Sequence, residues 1–191
     1  GTLSLAVTAI GVVPTGQCLL RSTARVDDDI YVTGTIGAAS AAVKDGVKVP
    51  PLELNELWSR RVDDMSCRYF MPLPRVQMGV ALRGLASAAI DISDGLMADL
   101  GHLTRSSRVG AEIELDRVPV WKSMDAEIAI EASDDYELLF TAPAKEAERI
   151  VEMAVGIGTD VTCIGKVTAG ESVAVNGEVG RIDSPKGYRH F

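Results

Sequence analysis

The run Ala89-Ile90-Asp91-Ile92-Ser93-Asp94-Gly95-Leu96 constrains this chain more than any other. Residues 88–92 are apolar or small apart from Asp91, so they read as a short buried strand. The spacing of Leu96, Leu100 and Leu103 just beyond is the apolar stripe of a helix. A strand that turns straight into a helix demands a layered fold of helices on a sheet. With a side-chain period of two, Asp91 and Ser93 are expected on one face. Ser93 is the expected N-cap, with the next amides pointing outward. A helix start attracts anions and nearby acids hold divalent cations, so the turn has the parts for a metal–phosphate complex. The same residues also describe an ordinary capped helix whose acids favour its dipole.

The flanking pattern alternates in type. Strands are expected over 3–13, 30–33, 111–115, 137–141 and 160–167, with Pro14-Thr15-Gly16 as a turn after the first. Residues 172–182 read as a hairpin turning at Asn176-Gly177. Helices are expected over 38–43, 52–70, 76–86, 94–106, 124–131 and 145–155. The expected class is α/β (α+β), a mixed sheet with flanking helices.

Composition excludes several functions. There are 27 acids against 19 bases, a net charge of −8, and no basic cluster. A nucleic-acid backbone is therefore not an expected partner, whereas divalent cations and the phosphates they carry are compatible. No apolar run reaches the length of a membrane span. Cys18, Cys67 and Cys163 are far apart and odd in number, which fits reduced thiols in a cytoplasmic protein rather than a disulfide framework. His102 and His190 lack metal-site spacing. There is no G-x-x-x-x-G-K-[ST] loop, no G-x-G-x-x-G and no G-x-S-x-G elbow.

Three further constellations accompany the first turn. Ser133-Asp134-Asp135-Tyr136-Glu137 enters the apolar strand Leu138-Leu139-Phe140, and the mouth of a buried strand is a common place for ligands. A solvated acidic loop is the plainer account. Arg21 could fork onto a phosphate or pair with the acids Asp27 to Asp29. The aromatic tail Gly187-Tyr188-Arg189-His190-Phe191 could stack on a ring ligand or pack on the core.

Taken in order, these segments resemble one family. Leu20-Arg21-Ser22-x-Ala24, Asp28-x-Ile30-Tyr31-Val32-Thr33-Gly34 and Pro74-Arg75-Val76 precede Ile90-Asp91-Ile92-Ser93-Asp94-Gly95-Leu96. Asp135-Tyr136-Glu137-Leu138-Leu139-Phe140-Thr141, Ile164-Gly165 and Gly187-Tyr188-x-His190-Phe191 follow. The set resembles the thiamine-monophosphate kinases, of the superfamily that includes aminoimidazole ribonucleotide synthetase and selenophosphate synthetase. The resemblance implies direct transfer of the ATP γ-phosphoryl onto thiamine phosphate with several Mg²⁺ ions. It implies Asp91 and Asp94 as Mg²⁺ ligands, Arg21 and Ser93 as ATP contacts, and Asp134 and Tyr188 as thiamine phosphate contacts. It assigns no residue of this chain a covalent or acid–base role. Thr23, Asp27 and Ser133 stand where the family usually has glycine.

The resemblance also implies an N-terminal domain ahead of Gly1, supplying most of the metal-binding aspartates and much of a homodimer interface. Residues 1–14 would be its last strand, and 15–191 the C-terminal synthetase-like domain. The expectation is then that these 191 residues alone do not turn over substrate, and that an exposed strand at 3–13 seeks a neighbour to pair with. Two other readings stand beside this one: another ATP-dependent enzyme of the superfamily, and a non-catalytic binding domain.

Overall fold

In the computed structural model, which describes residues 3–46, 65–122, 124–131, 133–177 and 180–183, one seven-stranded sheet organises the chain. Its strands are β1 (Asp28–Thr33), β2 (Ala88–Asp91), β3 (Gly110–Glu114), β4 (Leu138–Pro143), β5 (Val161–Thr168), β6 (Val173–Gly177) and β7 (Gly180–Asp183). Their order is β2-β4-β1-β5-β3-β6-β7, antiparallel throughout except for the β3–β6 pair. The helices are α1 (Ala38–Lys44), α2 (Met65–Phe70), α3 (Val76–Ala81), α4 (Leu96–Ser107), α5 (Ala126–Ala129) and α6 (Ala147–Ile157). This is the mixed sheet with flanking helices that the alternating pattern implies.

The central strands are apolar on both sides because both faces are covered. Ile30, Val32, Leu139 and Ile164 pack with Leu96, Leu100 and Leu103 of α4. Tyr31 and Phe140 point the other way, into a second core with Met78 of α3 and Ile150 and Ala154 of α6. Tyr31 lies directly opposite Phe140 across the β1–β4 ladder, and their rings stack 5.1 Å apart. Such cross-strand aromatic pairs add stability beyond the area they bury. All three cysteines are free.

Two expectations are corrected, and a third is met only where the chain is described. Residues 3–13 form no strand: their large apolar side chains are exposed and no described segment pairs with them. β-rich composition makes a strand only when a partner satisfies its backbone, and the described residues offer none there. The turn after it is present, with the Gln17 amide donating to the Pro14 carbonyl at 3.0 Å. The hairpin pairs Asn176 with Arg181 and Gly177 with Gly180, so Asn176 and Gly177 belong to the paired strand and are not its turn. Of the long helix expected over 52–70, α2 covers 65–70, and the remainder lies outside the described residues.

The non-glycine residues noted above have visible settings. The Thr23 hydroxyl donates to the Ser87 carbonyl at 2.6 Å, tying the segment that carries Arg21 to the start of β2. Asp27 adopts φ 72, the left-handed region glycine prefers. That conformation costs an ordinary residue about 1–2 kcal/mol, and glycine's extra chain entropy returns about 0.5–1 of it. Asp27→Gly is therefore expected to raise stability by about 0.5 kcal/mol and Tm by about 1–2 °C, measured by calorimetry. A loss of stability would show that the Asp27 side chain makes a contact that matters.

Candidate functional site

β2 ends at Asp91, opposite Leu138 of β4, and its last residue is exposed. Two further bonds continue the pairing past the strand. The Ile92 amide donates to the Glu137 carbonyl at 2.9 Å, and the Tyr136 amide donates to the Ile92 carbonyl at 2.8 Å. The first turn and the acidic loop are thus held side by side at one end of the sheet. Because the strand stops at Asp91, the period-two argument does not extend to Ser93.

Ser93 is not the helix cap either. That position belongs to Gly95, at φ 111 and ψ 151, a conformation open to glycine and hardly to any other residue. The amides of Ser93 and Asp94 do not face outward unpaired. Both donate to one oxygen of Asp99, at 2.9 and 3.0 Å. Asp99 is only 2% exposed and was not singled out from sequence. Its signal was present, since an acid in the first turn of a helix commonly serves the orphan amides there.

Asp94, Asp99 and His102 bring a ligand-type atom each within 4.8 Å of one another. His102 Nδ1 also lies 3.0 Å from Arg105 Nη2. Burial holds the Asp99 carboxyl above the ordinary aspartate range, against the pull of its two amides, and the charges of Asp94 and Asp91 push the same way. The turn therefore concentrates three carboxylates, one of them buried. A divalent cation with oxygen ligands is the chemistry such a set suits.

The acidic loop is neither solvated nor wholly open to a ligand. Asp135 is buried and accepts from Gly37 N at 2.7 Å, Ala39 N at 3.2 Å and the Ser133 hydroxyl at 2.7 Å. It caps α1 from 96 residues away, and Ser133 supports that cap. Glu137 is buried as well. Its carboxylate accepts from Arg75 Nε and Nη2 at 2.7 and 2.6 Å, and from the Thr33 hydroxyl at 2.6 Å. Thr33 Oγ1 in turn accepts from the Leu138 amide at 2.8 Å. Gly34, at φ 59, lies against this carboxylate so closely that any Cβ would strike it. Arg68 approaches Glu137 to 3.8 Å and sits 4.7 Å over the Trp121 ring. Sequence reasoning missed these partners because each is far along the chain.

Burial pushes the Asp135 carboxyl up, against its three donors, and the Glu137 charge adds to the rise. A carboxyl raised in the folded state contributes stability that is complete below its unfolded value, about 4, and is lost as pH rises through the folded value. The stability difference between the wild type and Asp135→Asn is therefore expected to shrink between about pH 4 and 7 in urea titrations. A difference that grows over that range would contradict the environment described.

Asp134 is half-buried between these anchored residues. Arg21 is exposed, and its carbonyl accepts from Ser107 Oγ at 3.1 Å, at the far end of α4. Twelve helical residues, about 18 Å, separate that end from the Ser93 turn. Arg21 does not pair with Asp27 to Asp29 through any described ion pair; Asp29 pairs with Lys166 at 3.5 Å. Tyr188 lies outside the described residues. The backbone bonds of Ile92 thus hold the turn of Asp91, Ser93 and Asp94 against residues 136–137 of the loop that carries Asp134, and Arg21 lies at the other end of α4.

A sheet of this order, with these two loops at one end, is the frame of a known domain class. Residues 25–178 match the family of AIR synthase related protein, C-terminal domain, and the chain belongs to that family. Within it, the chain is 38% identical over 204 residues to the thiamine-monophosphate kinase of Escherichia coli strain K12. That alignment takes in all of this chain and 61% of the relative, so the chain spans about three-fifths of the relative's length. The crystal structure of thiamine-monophosphate kinase from Stenotrophomonas maltophilia K279a superposes with a TM-score of 0.75 at 34% identity, covering 87% of this chain and 55% of that one. A complex of AaThiL with AMPPCP and TMP gives a TM-score of 0.68 at 31% identity, covering 91% and 54%.

Proposed function

We propose that this chain is the C-terminal domain of a thiamine-monophosphate kinase, which moves the γ-phosphoryl of ATP onto the phosphate of thiamine phosphate. The observation that carries the reading is the identity of 38% along the whole chain to an enzyme of that name. The AaThiL complex with AMPPCP and TMP supports ATP and thiamine phosphate as the two substrates. In this reading residues 1–14, whose described part pairs with no other described strand, become the last strand of an N-terminal domain in the whole protein, that protein is a cytoplasmic homodimer, and neither nucleic acid nor membrane is a partner. Among the described residues, no helix is long and apolar enough to cross a membrane.

The residues at the turn fit a Mg²⁺ site. Asp91 and Asp94 supply hard oxygen ligands, and the carboxylate crowding around Asp99 is of the kind a cation relieves. When bound, Mg²⁺ would neutralise phosphate charge and orient donor and acceptor, which is most of what phosphoryl transfer needs. Ser93 offers a hydroxyl to the nucleotide phosphates, because its amide is already spent on Asp99. Arg21 would meet the nucleotide from the far end of α4, so a ligand touching both residues must be extended. Asp134 and Tyr188 would contact thiamine phosphate. The tie from Ile92 to Tyr136 and Glu137 keeps the cation turn and the substrate loop in fixed relation.

Thermal denaturation with ligand tests the assignment, because a ligand that binds only the folded state raises Tm. Thiamine phosphate with Mg²⁺ is expected to raise Tm, and an aminoimidazole nucleotide is expected to leave it unchanged. The reverse order would move the chain to a purine-precursor enzyme of the same family.

A further inference from the structure

Tyr136 stands out from the loop that carries it. Its φ of 53 is left-handed, a conformation that a bulky aromatic residue rarely adopts. The two residues flanking it explain how it is held there. Asp135 is tied to the start of α1 and to Ser133, and Glu137 is tied to Arg75 and Thr33, so both neighbours point inward. The Tyr136 amide is fixed on the Ile92 carbonyl, immediately before Ser93. The ring is therefore turned outward, 42% exposed. Among the described residues it stacks on no other ring, and no hydrogen bond involves its phenol. Glycine would satisfy the backbone at this position with less strain. A large side chain kept in a costly conformation and left two-fifths exposed, with its phenol unbonded, points to a contact made outside the folded chain.

The chemistry of the surroundings narrows that contact. Two residues earlier, Asp134 places a carboxylate in the same loop, and Asp91 stands at the adjoining strand end. An exposed aromatic ring in a loop that also carries a carboxylate suits a planar organic cation, which is drawn to both the charge and the π-system. We infer that Tyr136 is a binding residue for the thiazolium ring of thiamine phosphate, an aromatic contact separate from Tyr188 of the tail. This rests on the thiamine phosphate reading above.

The test is calorimetric titration of the 191-residue chain with thiamine phosphate in Mg²⁺, with ATP titrated in parallel. Tyr136→Phe keeps the ring and is expected to bind thiamine phosphate within about twofold of wild type. Tyr136→Leu and Tyr136→Gly are expected to weaken it about tenfold or more, on the scale of a cation–π contact. ATP affinity is expected to stay within about twofold in all three, since the cation turn is untouched. Tyr136→Gly is also expected to unfold at a higher temperature than wild type, because the strain is gone. Higher stability with lost affinity is the signature that a structural role does not produce. If Leu and Gly variants bind thiamine phosphate as wild type does, or lose ATP equally, the assignment of Tyr136 is wrong and the kinase reading stands. If wild type binds no thiamine phosphate, the reading itself falls and Tyr136 with it.

Discussion

Replacing Glu137 by alanine should cost this domain about 3–5 kcal/mol, the penalty for leaving a buried charge without its partner. Glu137 holds Arg75 by two bonds at 2.7 and 2.6 Å and Thr33 by a third at 2.6 Å. The Arg75 side chain is only 16% exposed, so solvent does little to compensate a lost carboxylate. The surface-pair value of about 0–1 kcal/mol does not apply to a site this closed. Since domains are stable by only about 5–15 kcal/mol, the change is a large part of the total. It corresponds to a fall in Tm of about 10 °C or more. Arg75→Met should cost a comparable amount, and the double variant should cost clearly less than the sum of the two, since the second removal takes away the orphaned charge. Urea unfolding of the four proteins gives the coupling. A cost under about 1 kcal/mol for Glu137→Ala would mean that the network is ornamental and that the substrate loop is held by the backbone alone.

Changing Asp91 and Asp94 together to asparagine should have the opposite profile. Neither residue belongs to the apolar core, so the fold should survive. Burial is the main cause of the raised Asp99 carboxyl, and removing two nearby carboxylates eases the smaller repulsive part, so Tm should hold or rise slightly. Mg²⁺-dependent ATP binding should nevertheless weaken by about 100-fold, given that disturbing even the supporting groups of a metal site costs 10–100-fold. Stability and affinity moving in opposite directions is the mark of residues placed for a ligand. Loss of both together would make the two aspartates structural. Calorimetric titration of ATP at fixed Mg²⁺, beside thermal unfolding, separates the outcomes.

Much of the fold was legible in local pattern. The alternation of β3, the Leu96-Leu100-Leu103 stripe and the apolar run of β4 are each visible locally, and each forms the element it implies. What local pattern could not supply was partners. Residues 3–13 have the composition of a strand, yet pairing is a property of two segments, and the second is not described in this chain. Ser93 has the chemistry of a cap, but the turn opens further to Gly95 and hands the two amides to Asp99. Asp135 and Glu137 looked like free acids at a strand mouth. Their donors come from residues 37, 39, 75 and 33, at separations no period reveals. The site was legible in the same uneven way. The Ile92 backbone joins the turn of Asp91, Ser93 and Asp94 to the loop that carries Asp134. Arg21, expected as an ATP contact, stands across the length of α4 from that turn.

The central claim is that the turn from Asp91 to Gly95 is a cation site for phosphate chemistry, set beside the loop that carries Asp134. Mn²⁺ takes the same hard oxygen ligands as Mg²⁺ and broadens the NMR signals of nearby amides. Titrating it into the ¹⁵N-labelled chain should first erase the amides of 91–95, then those of 134–137, and the double change of Asp91 and Asp94 to asparagine should abolish the effect. Broadening that begins at Asp27 to Asp29, or that persists unchanged in the double variant, would contradict the account.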